Sequence, residues 1–185
     1  MRQTICLLVF SLAFVVAASA QESKPNGYAG QEQRAIKSLS AEEVEQLLQG
    51  QGMGLAKAAE LNHYPGPRHV LELAAQLELT QEQRANAQTA FDRMHAETVK
   101  LGQLIVARER ELDAAFAGGE IDARKLEAAT AEIARLQGLL RAAHLAAHLE
   151  TRRTLSPEQI KKYDELRGYN SNAPGHSEHE HMHKH

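Results

Sequence analysis

Two long stretches without proline limit what this chain can fold into. Residues 81–117 contain no proline and one glycine, Gly102, and residues 122–154 also lack proline. The first stretch alone makes a helix of about 55 Å, at about 1.5 Å per residue. Gly118-Gly119 ends it and Asp122 can cap the next. Because so short a connection joins them, the two stretches predict a long antiparallel helical hairpin over residues 81–154.

Apolar residues recur at intervals of three and four in both stretches. In the first they are Phe91, Met94, Thr98, Leu101, Ile105, Leu112 and Ala115. In the second they are Leu126, Ala129, Ile133, Leu136, Leu140, Ala143 and Ala147. Seams of this kind allow two helices to pack along their length. Strong helix formers dominate and aromatic residues are only 4% of the chain, so we predict an all-α fold with shorter helices flanking the hairpin.

Glycine and proline divide the segment before the hairpin. Ser40, with Glu43 at the capping-box position, predicts a short helix. Breaks follow at residues 50–54, where glycines alternate, and at Tyr64-Pro65-Gly66-Pro67. A short amphipathic helix is predicted from Val70 to Leu77. The spaced glycines do not indicate a phosphate-binding loop, because no strand precedes them and no Gly-Lys-Ser/Thr follows.

The first twenty residues are typical of a secretory signal peptide. Arg2 begins it, residues 5–18 are apolar, and Ala18-Ser19-Ala20 predicts cleavage after Ala20. We therefore expect an exported protein with no stable membrane insertion after cleavage. The only cysteine, Cys6, lies in this segment, so disulfides cannot stabilise the mature chain. The predicted divisions are a signal peptide at 1–20, a flexible leader at 21–38, one domain at 39–168 and a disordered histidine-rich tail at 169–185.

Charge and residue inventory argue against several functional classes. The net charge of −3 gives no reason to expect nucleic-acid binding. The chain lacks a His-Glu-x-x-His motif, a cysteine nucleophile in the mature protein and a phosphate loop. A two-helix hairpin also offers little concavity for a shielded active site. We therefore expect no enzymatic activity.

One helix-start motif occurs twice, at the beginning of the hairpin and just after its end. Its two copies are Leu79, Thr80 and Gln83, and Leu155, Ser156 and Gln159. In each copy the hydroxyl can accept a bond from a first-turn N–H, and the glutamine can bond back to the N–H of the cap residue. Antiparallel helices bring these two positions to the same end of the molecule. We therefore expect Leu79 and Leu155 to lie near each other.

The doubled L-[ST]-x-x-Q motif around a long hairpin resembles the Spy/CpxP family of periplasmic proteins, over residues 70–168. Residues 147–151 and 155–163 are particularly similar to that family's last two helices. The resemblance implies a cradle-like homodimer in the periplasm. It implies an ATP-independent chaperone that holds unfolded envelope proteins under stress, with an envelope-stress sensor as a possible partner. ZraP- and CnrX-like relatives bind transition metals instead, so metal sensing or tolerance is the alternative function.

A holding chaperone needs apolar patches surrounded by charge. The hairpin's second helix offers such residues outside its predicted seam: Leu139, Leu145, Leu149, Arg141, Arg152 and Arg153. These are the predicted client-binding residues. The alternative is that Leu145 and Leu149 are buried in the monomer or in a dimer, and that the charges form an ordinary solvated face.

Metal-ligating side chains concentrate at the end of the chain. The candidate ligands there are His176, His179, His181, Met182, His183 and His185. Imidazole suits Zn, Cu and Ni, and the thioether suits Cu(I); the alternative is a solvated segment without a metal role. His144 and His148 form a second candidate pair, since their i, i+4 spacing places both on one helical face. They resemble in placement the ligand pair of the metal-sensing relatives; the alternative is two surface or dimer-facing histidines.

Overall fold

The computed structural model describes residues 27–169, and every regular element in that range is helical. A short 3₁₀ turn at Gln31–Gln33 precedes six α-helices. These are α1 (Ala41–Leu48), α2 (Lys57–Glu60), α3 (Pro67–Glu72), α4 (Gln81–Ala117), α5 (Ala123–Thr154) and α6 (Pro157–Arg167). The predicted all-α class is confirmed. The predicted signal peptide and the histidine-rich residues 176–185 lie outside the described residues, and the homodimer stays a prediction.

Helices α4 and α5 pack against each other as the predicted hairpin. Its tip is the Gly118-Gly119 turn, where Gly119 has a φ of +67° that favours glycine. Asp122 begins α5 there, its side chain accepting a bond from the N–H of Lys125. The base of the hairpin is the opposite end, where α4 begins and α5 ends.

Two clusters of buried apolar residues lie along the hairpin. The middle core consists of Ile36, Leu47, Leu101, Ile105, Val106, Leu136 and Leu140. The base core consists of Val70, Ala74, Leu77, Leu79, Ala87, Leu155 and Tyr163. Between these two cores, the buried face of α5 carries His144, Ala147, His148 and Thr151. A polar stretch of helix surface is therefore enclosed between two apolar ones.

Helix α1 crosses α4 at Gly102. A Cβ atom at this position would lie 1.9 Å from the carbonyl oxygen of Leu47, so only glycine permits the crossing. Just before α1, Ile36 is 2% exposed, and the Lys37 ammonium lies 3.0 Å from the carboxylate of Asp113. Packing against the hairpin thus begins within the segment that was predicted as a flexible leader.

Helix α3 begins and ends earlier than the apolar pattern predicted. It starts at Pro67. Proline is favoured at the first position of a helix, because an N–H there would have no carbonyl partner within the helix. It ends at Glu72, and turns carry the chain from Leu73 to the cap at Thr80. Ala74 and Leu77 are still buried in the base core. The spacing of these apolar residues therefore reflects their burial and not a helical conformation. In the described part of the chain, no helix is long and apolar enough to span a membrane.

Candidate functional site

A groove of about 960 Å³ opens between the middle core and the base core. Its lining comes from α4, α5, the end of α6 and the chain that connects α1 to α3. The side chains in it that carry metal-ligating atoms include Met53, His69, Met94, His95, His144 and His148. The expectation that a hairpin offers little concavity is wrong here. The glycine- and proline-rich connection lies across the hairpin and forms the missing wall.

His144 lies on α5 and is only 4% exposed. The atom Nε2 is buried without a hydrogen-bond partner. Burial, reinforced by nearby His148, lowers the pKa of His144 below its ordinary value. The ring is therefore neutral near pH 7.

His148 lies one turn further along α5, and the backbone holds its ring. Its Nδ1 is 2.7 Å from the carbonyl oxygen of Tyr64. A carbonyl oxygen only accepts, so Nδ1 carries a proton, and in the neutral form of the imidazole this tautomer has its lone pair on Nε2. Gly66 packs on this ring, where a Cβ atom would lie 2.8 Å from both Cε1 and Nε2. The connection after α1 thus fixes the position and the tautomer of the ring.

His148 has the arrangement of a metal ligand in proteins. Such a ligand usually donates its second ring N–H to a carbonyl or carboxylate, which orients the ring and keeps the other nitrogen available. The backbone carbonyl of Tyr64 has this role for His148. The alternative that His144 and His148 are surface residues is wrong, since both are buried. Two imidazoles are an incomplete set, and residues 27–169 contain no cluster of three His, Cys, Asp or Glu side chains able to hold a metal ion.

The other two histidines of the groove have different partners in this conformation. The Nδ1 atom of His69 lies 2.8 Å from the carboxylate of Glu72, three residues further along the chain. His95 is exposed, and its ring stacks on Phe91 with centroids 5.7 Å apart. Neither histidine faces the pair on α5 closely enough to form a three-ligand cluster with it.

A buried carboxylate, that of Glu60, holds α2 against α6 beside the groove. It accepts hydrogen bonds from the hydroxyls of Tyr163 and Tyr169, and Arg167 lies 3.4 Å away. Its second oxygen is 3.6 Å from Nδ1 of His148. Burial and the Glu60 carboxylate raise the pKa of Tyr163, so the phenol stays protonated as a donor. This network fixes the end of α6 next to His148.

Both predicted capping boxes are present at the base of the hairpin. The amide group of Gln83 donates to Oε1 of Gln159 at 2.8 Å, and Gln159 donates back at 3.0 Å. Gln83 also bonds the carbonyl of Thr154. Leu79 and Leu155 both belong to the base core. The repeated motif therefore joins the start of α4 to the start of α6, as expected from an antiparallel hairpin.

The predicted client-binding residues differ in exposure and in their contacts within the chain. Leu139 and Leu149 are 43% and 47% exposed, and Arg141 and Arg153 are also exposed. Leu145 is half-buried. For Leu149, the alternative of burial within the monomer is wrong.

Arg152 is already engaged within the chain. Its Nε donates to the carbonyl oxygen of His63 at 3.1 Å, and its guanidinium lies 4.6 Å from the centroid of the Tyr64 ring. The imidazole of His63 in turn bonds the carboxylate of Asp164. Arg152 therefore helps to hold the turn whose carbonyl orients His148.

Sequence reasoning missed the groups that orient His148. Tyr64 acts through its backbone carbonyl, which leaves no signal in a side-chain pattern. Gly66 was recognisable only as part of a break between prolines. The histidine-rich residues 176–185 lie outside the described range, so the structure does not place them.

A protein-family model described as heavy-metal resistance matches residues 52–162. The matched range begins in the glycine-rich wall of the groove and includes α4, α5 and most of α6. It contains both His144 and His148. No curated protein and no solved structure matches the chain.

Proposed function

The chain belongs to the heavy-metal-resistance family, and on that premise we propose that it binds a divalent transition-metal ion through His144 and His148. The observation that carries the proposal is the Nε2 atom of His144, buried without a partner in the groove. A buried polar atom left unpaired costs about 1–3 kcal/mol. A bound metal ion satisfies it. Imidazole ligands favour Zn²⁺, Cu²⁺ or Ni²⁺.

The environment of His144 suits capture of a metal ion. Metal binding requires a neutral imidazole, and burial lowers the pKa of this one. The neutral form therefore persists to lower pH than in an exposed histidine. The backbone carbonyl of Tyr64 holds the His148 ring in place before an ion arrives. The function that follows is metal sensing or tolerance in the periplasm, to which the predicted signal peptide directs the chain.

Metal titration of four proteins tests this proposal. They are the mature chain and a chain ending at Gly175, each with and without the substitutions His144→Gln and His148→Gln. The shortened chain removes the separate ligands of residues 176–185. In that background we expect the paired substitution to weaken Zn²⁺ or Ni²⁺ binding by at least about tenfold. Unchanged affinity would reject the proposal.

His95→Gln is the matched control for those substitutions. His95 lines the same groove, but its ring is exposed and stacks on Phe91. The substitution removes an imidazole from the groove without removing either of the two buried rings. We expect its metal affinity to match that of the parent chain. Circular dichroism before titration establishes that each variant is folded.

Gly66→Ala tests whether the orientation of His148 matters. The added Cβ would lie 2.8 Å from the imidazole, so the ring must move and lose its bond to Tyr64. We expect weaker metal binding, by about 10–100-fold, in a protein that still folds. Gly138→Ala is the control, because a Cβ there meets nothing within 4 Å. Equal affinities in the two variants would show that the orientation of the ring is unimportant.

A second candidate function is the holding chaperone of the Spy/CpxP type, acting on unfolded envelope proteins as the expected homodimer. The observation that favours it is apolar surface on the hairpin. The exposed residues there are Leu104, Phe116, Leu126, Leu139 and Leu149. Scattered apolar side chains offer weak contact to many sequences, and the charges among them keep the protein soluble.

An aggregation assay with an unfolding client separates the two functions. We expect the paired substitution Leu139→Ser and Leu149→Ser to reduce the suppression of aggregation, with or without added Zn²⁺. Leu61→Ser is the control, since Leu61 is 58% exposed but lies outside the hairpin. If the parent chain does not suppress aggregation in any condition, the chaperone function is rejected and the metal function is unaffected.

A further inference from the structure

The charged side chains that line the groove in the described part of the chain are mostly cationic: Lys57, Arg68 and Arg167, with Glu60 as the one carboxylate. Arg167 and Glu60 lie 3.4 Å apart and balance each other. Lys57 and Arg68, both exposed, form what we call the basic rim. The whole chain has a net charge of −3, so the groove differs in sign from the protein around it. Such a local charge attracts anions.

The first cation of the basic rim lies close to the first buried imidazole. A Cβ atom on Gly52 would lie 4.0 Å from Cε1 of His144. Two residues later, a Cβ atom on Gly54 would lie 3.2 Å from Cε of Lys57. Because two residues span at most about 7 Å, the Lys57 side chain lies on the stretch of wall that faces His144.

The second cation has the corresponding position beside His148. Gly66 packs on this ring, and Arg68 follows Gly66 by two residues. The Nε atom of Arg68 donates to the carboxylate of Glu72 at 3.0 Å. A guanidinium has five N–H donors, and an exposed ion pair of this kind contributes little energy. Arg68 can therefore bind a second carboxylate.

This distribution of charge is unfavourable for a bare metal ion. Two positive side chains beside the imidazoles repel a divalent cation. The ligand set is also incomplete, because residues 27–169 contain no cluster of three His, Cys, Asp or Glu side chains able to hold a metal ion. A site for Zn²⁺ needs four ligands at about 2 Å. Further donor atoms are thus required, and negatively charged ones would also offset the basic rim.

The groove is larger than an ion alone requires. Its volume of about 960 Å³ lies in the range of sites for small organic ligands. Its wall combines apolar side chains, among them Leu61 and Phe91, with a few polar groups, as is usual in such sites. We propose that the groove binds the metal ion together with a small chelating hydroxycarboxylic acid, whose carboxylates contact Lys57 and Arg68 while the two buried histidines bind the ion. This inference rests on the proposed function and names the form in which the ion is bound.

A hydroxycarboxylate supplies both properties that the site lacks. Its hydroxyl and carboxylate oxygens chelate one ion, and oxygen donors complete the coordination of Zn²⁺ alongside imidazoles. An acid with several carboxylates, such as citrate, keeps a net negative charge when it binds a divalent ion. Its remaining carboxylate oxygens then contact the basic rim in charge-assisted hydrogen bonds.

Equilibrium dialysis with radiolabelled citrate and Ni²⁺ tests this inference. Both the mature chain and the chain ending at Gly175 are used, because residues 176–185 carry separate ligands. We expect citrate to be retained in the presence of Ni²⁺ and not in its absence. The paired substitution His144→Gln and His148→Gln should reduce this retention by at least about tenfold. Tricarballylate is the control ligand, since it has the carboxylates of citrate but lacks the chelating hydroxyl, and it should not be retained.

Reversing one charge of the basic rim distinguishes the complex from a bare ion. Lys57→Glu should weaken the binding of Ni²⁺ with citrate by at least about tenfold. The same variant should bind Ni²⁺ alone at least as tightly as the parent, because a repulsive charge has been removed. Arg124→Glu is the matched control, since it changes the net charge equally on an exposed residue in the first turn of α5, at the tip. Equal losses in the two variants would contradict a role of the basic rim.

These measurements separate failure of this inference from failure of the proposed function. If the two histidines bind Ni²⁺ but citrate is not retained, only the further inference is wrong. If the paired substitution changes neither Ni²⁺ binding nor citrate retention, both are wrong. Citrate that is retained without Ni²⁺ would show a simple anion site, and the proposed complex with the ion would be rejected.

Discussion

At the base of the hairpin, two helix starts are joined by a reciprocal pair of glutamine amides and lie over a buried apolar cluster. At the tip, Asp122 caps α5, and its side chain accepts a single bond from the N–H of Lys125. There Phe116 is 56% exposed and Leu126 is 38% exposed. The two ends thus belong to the same pair of helices but differ in how much of the chain covers them.

The difference shows which part of the chain creates the site. Near the tip, where only the two helices meet, the cavity between them is smaller, at about 340 Å³. Where the connection between α1 and α3 lies across them, the same two helices bury His144 and His148 beside a groove. Variants that act on the covering segment should therefore have large effects, and variants at the tip should have small ones.

The largest effect is expected from Gly102→Ala. The new Cβ would lie 1.9 Å from the Leu47 carbonyl oxygen, and backbone atoms on both sides leave little room to adjust. Helix α1 must move away from α4, which opens the middle core. We expect a loss of about 3 kcal/mol in the free energy of unfolding, measured by urea denaturation.

Gly138→Ala is the matched control for that measurement. Gly138 lies within α5, and a Cβ there would meet nothing within 4 Å. The substitution should stabilise the helix by about 0.5–1 kcal/mol. If the two alanine variants unfolded alike, the close approach of α1 to α4 would not contribute to stability.

The next effect concerns the glutamine pair at the base. Gln83→Ala removes the bond to the N–H of Thr80 and the bonds to Gln159 and to the carbonyl of Thr154. We expect it to cost about 2 kcal/mol. Asp122→Ala, which removes the cap at the tip, should cost only about 1 kcal/mol.

A double-mutant cycle sharpens this comparison between the ends. Gln83→Ala and Gln159→Ala disrupt the same pair of amides, so their combined cost should fall short of the sum by about 1 kcal/mol. Gln83→Ala and Asp122→Ala act at opposite ends and should add. Additivity in both cycles would mean that the two capping boxes act separately.

The helix starts could be predicted from sequence because their causes are local. Thr80 and Ser156 each find their capping partner three residues away. The antiparallel connection then requires that Leu79 and Leu155 meet. The lengths of α4 and α5 follow from the absence of proline and from the Gly118-Gly119 turn. None of these features depends on contacts that are distant in sequence and unknown in advance.

The burial of His144 could not be predicted in this way. The apolar pattern placed Ala143 in the seam of α5, whereas the structure leaves Ala143 half-buried and buries His144. A seam that is predicted for two packed helices includes only those residues of α5 that face α4. The connection after α1 covers a second face of α5, and it does so through backbone carbonyls and glycines that carry no periodic pattern.

A pH titration of stability follows from this burial. The pKa of His144 is lowered in the fold, chiefly by burial, while the unfolded chain keeps an ordinary value near 6.5. As pH falls below about 6.5, the unfolded state takes up the proton first, so the metal-free protein loses stability. We expect the free energy of unfolding to fall less between pH 7 and pH 5 in His144→Gln than in the parent. Parallel pH profiles would show that the fold does not keep this ring neutral.

The smallest effect is expected at the tip, from Phe116→Ser. Because 56% of this side chain is already exposed and neither the base core nor the middle core includes it, the free energy of unfolding should change by less than about 0.5 kcal/mol. Its metal affinity should equal that of the parent, since the groove lies towards the base. A reduced suppression of client aggregation without any loss of stability would then assign the bare end of the hairpin to client contact. A stability loss of several kcal/mol would instead show that the tip is covered in solution, as it would be by a second copy of the chain, and the contrast between a covered base and a bare tip would hold only for the monomer.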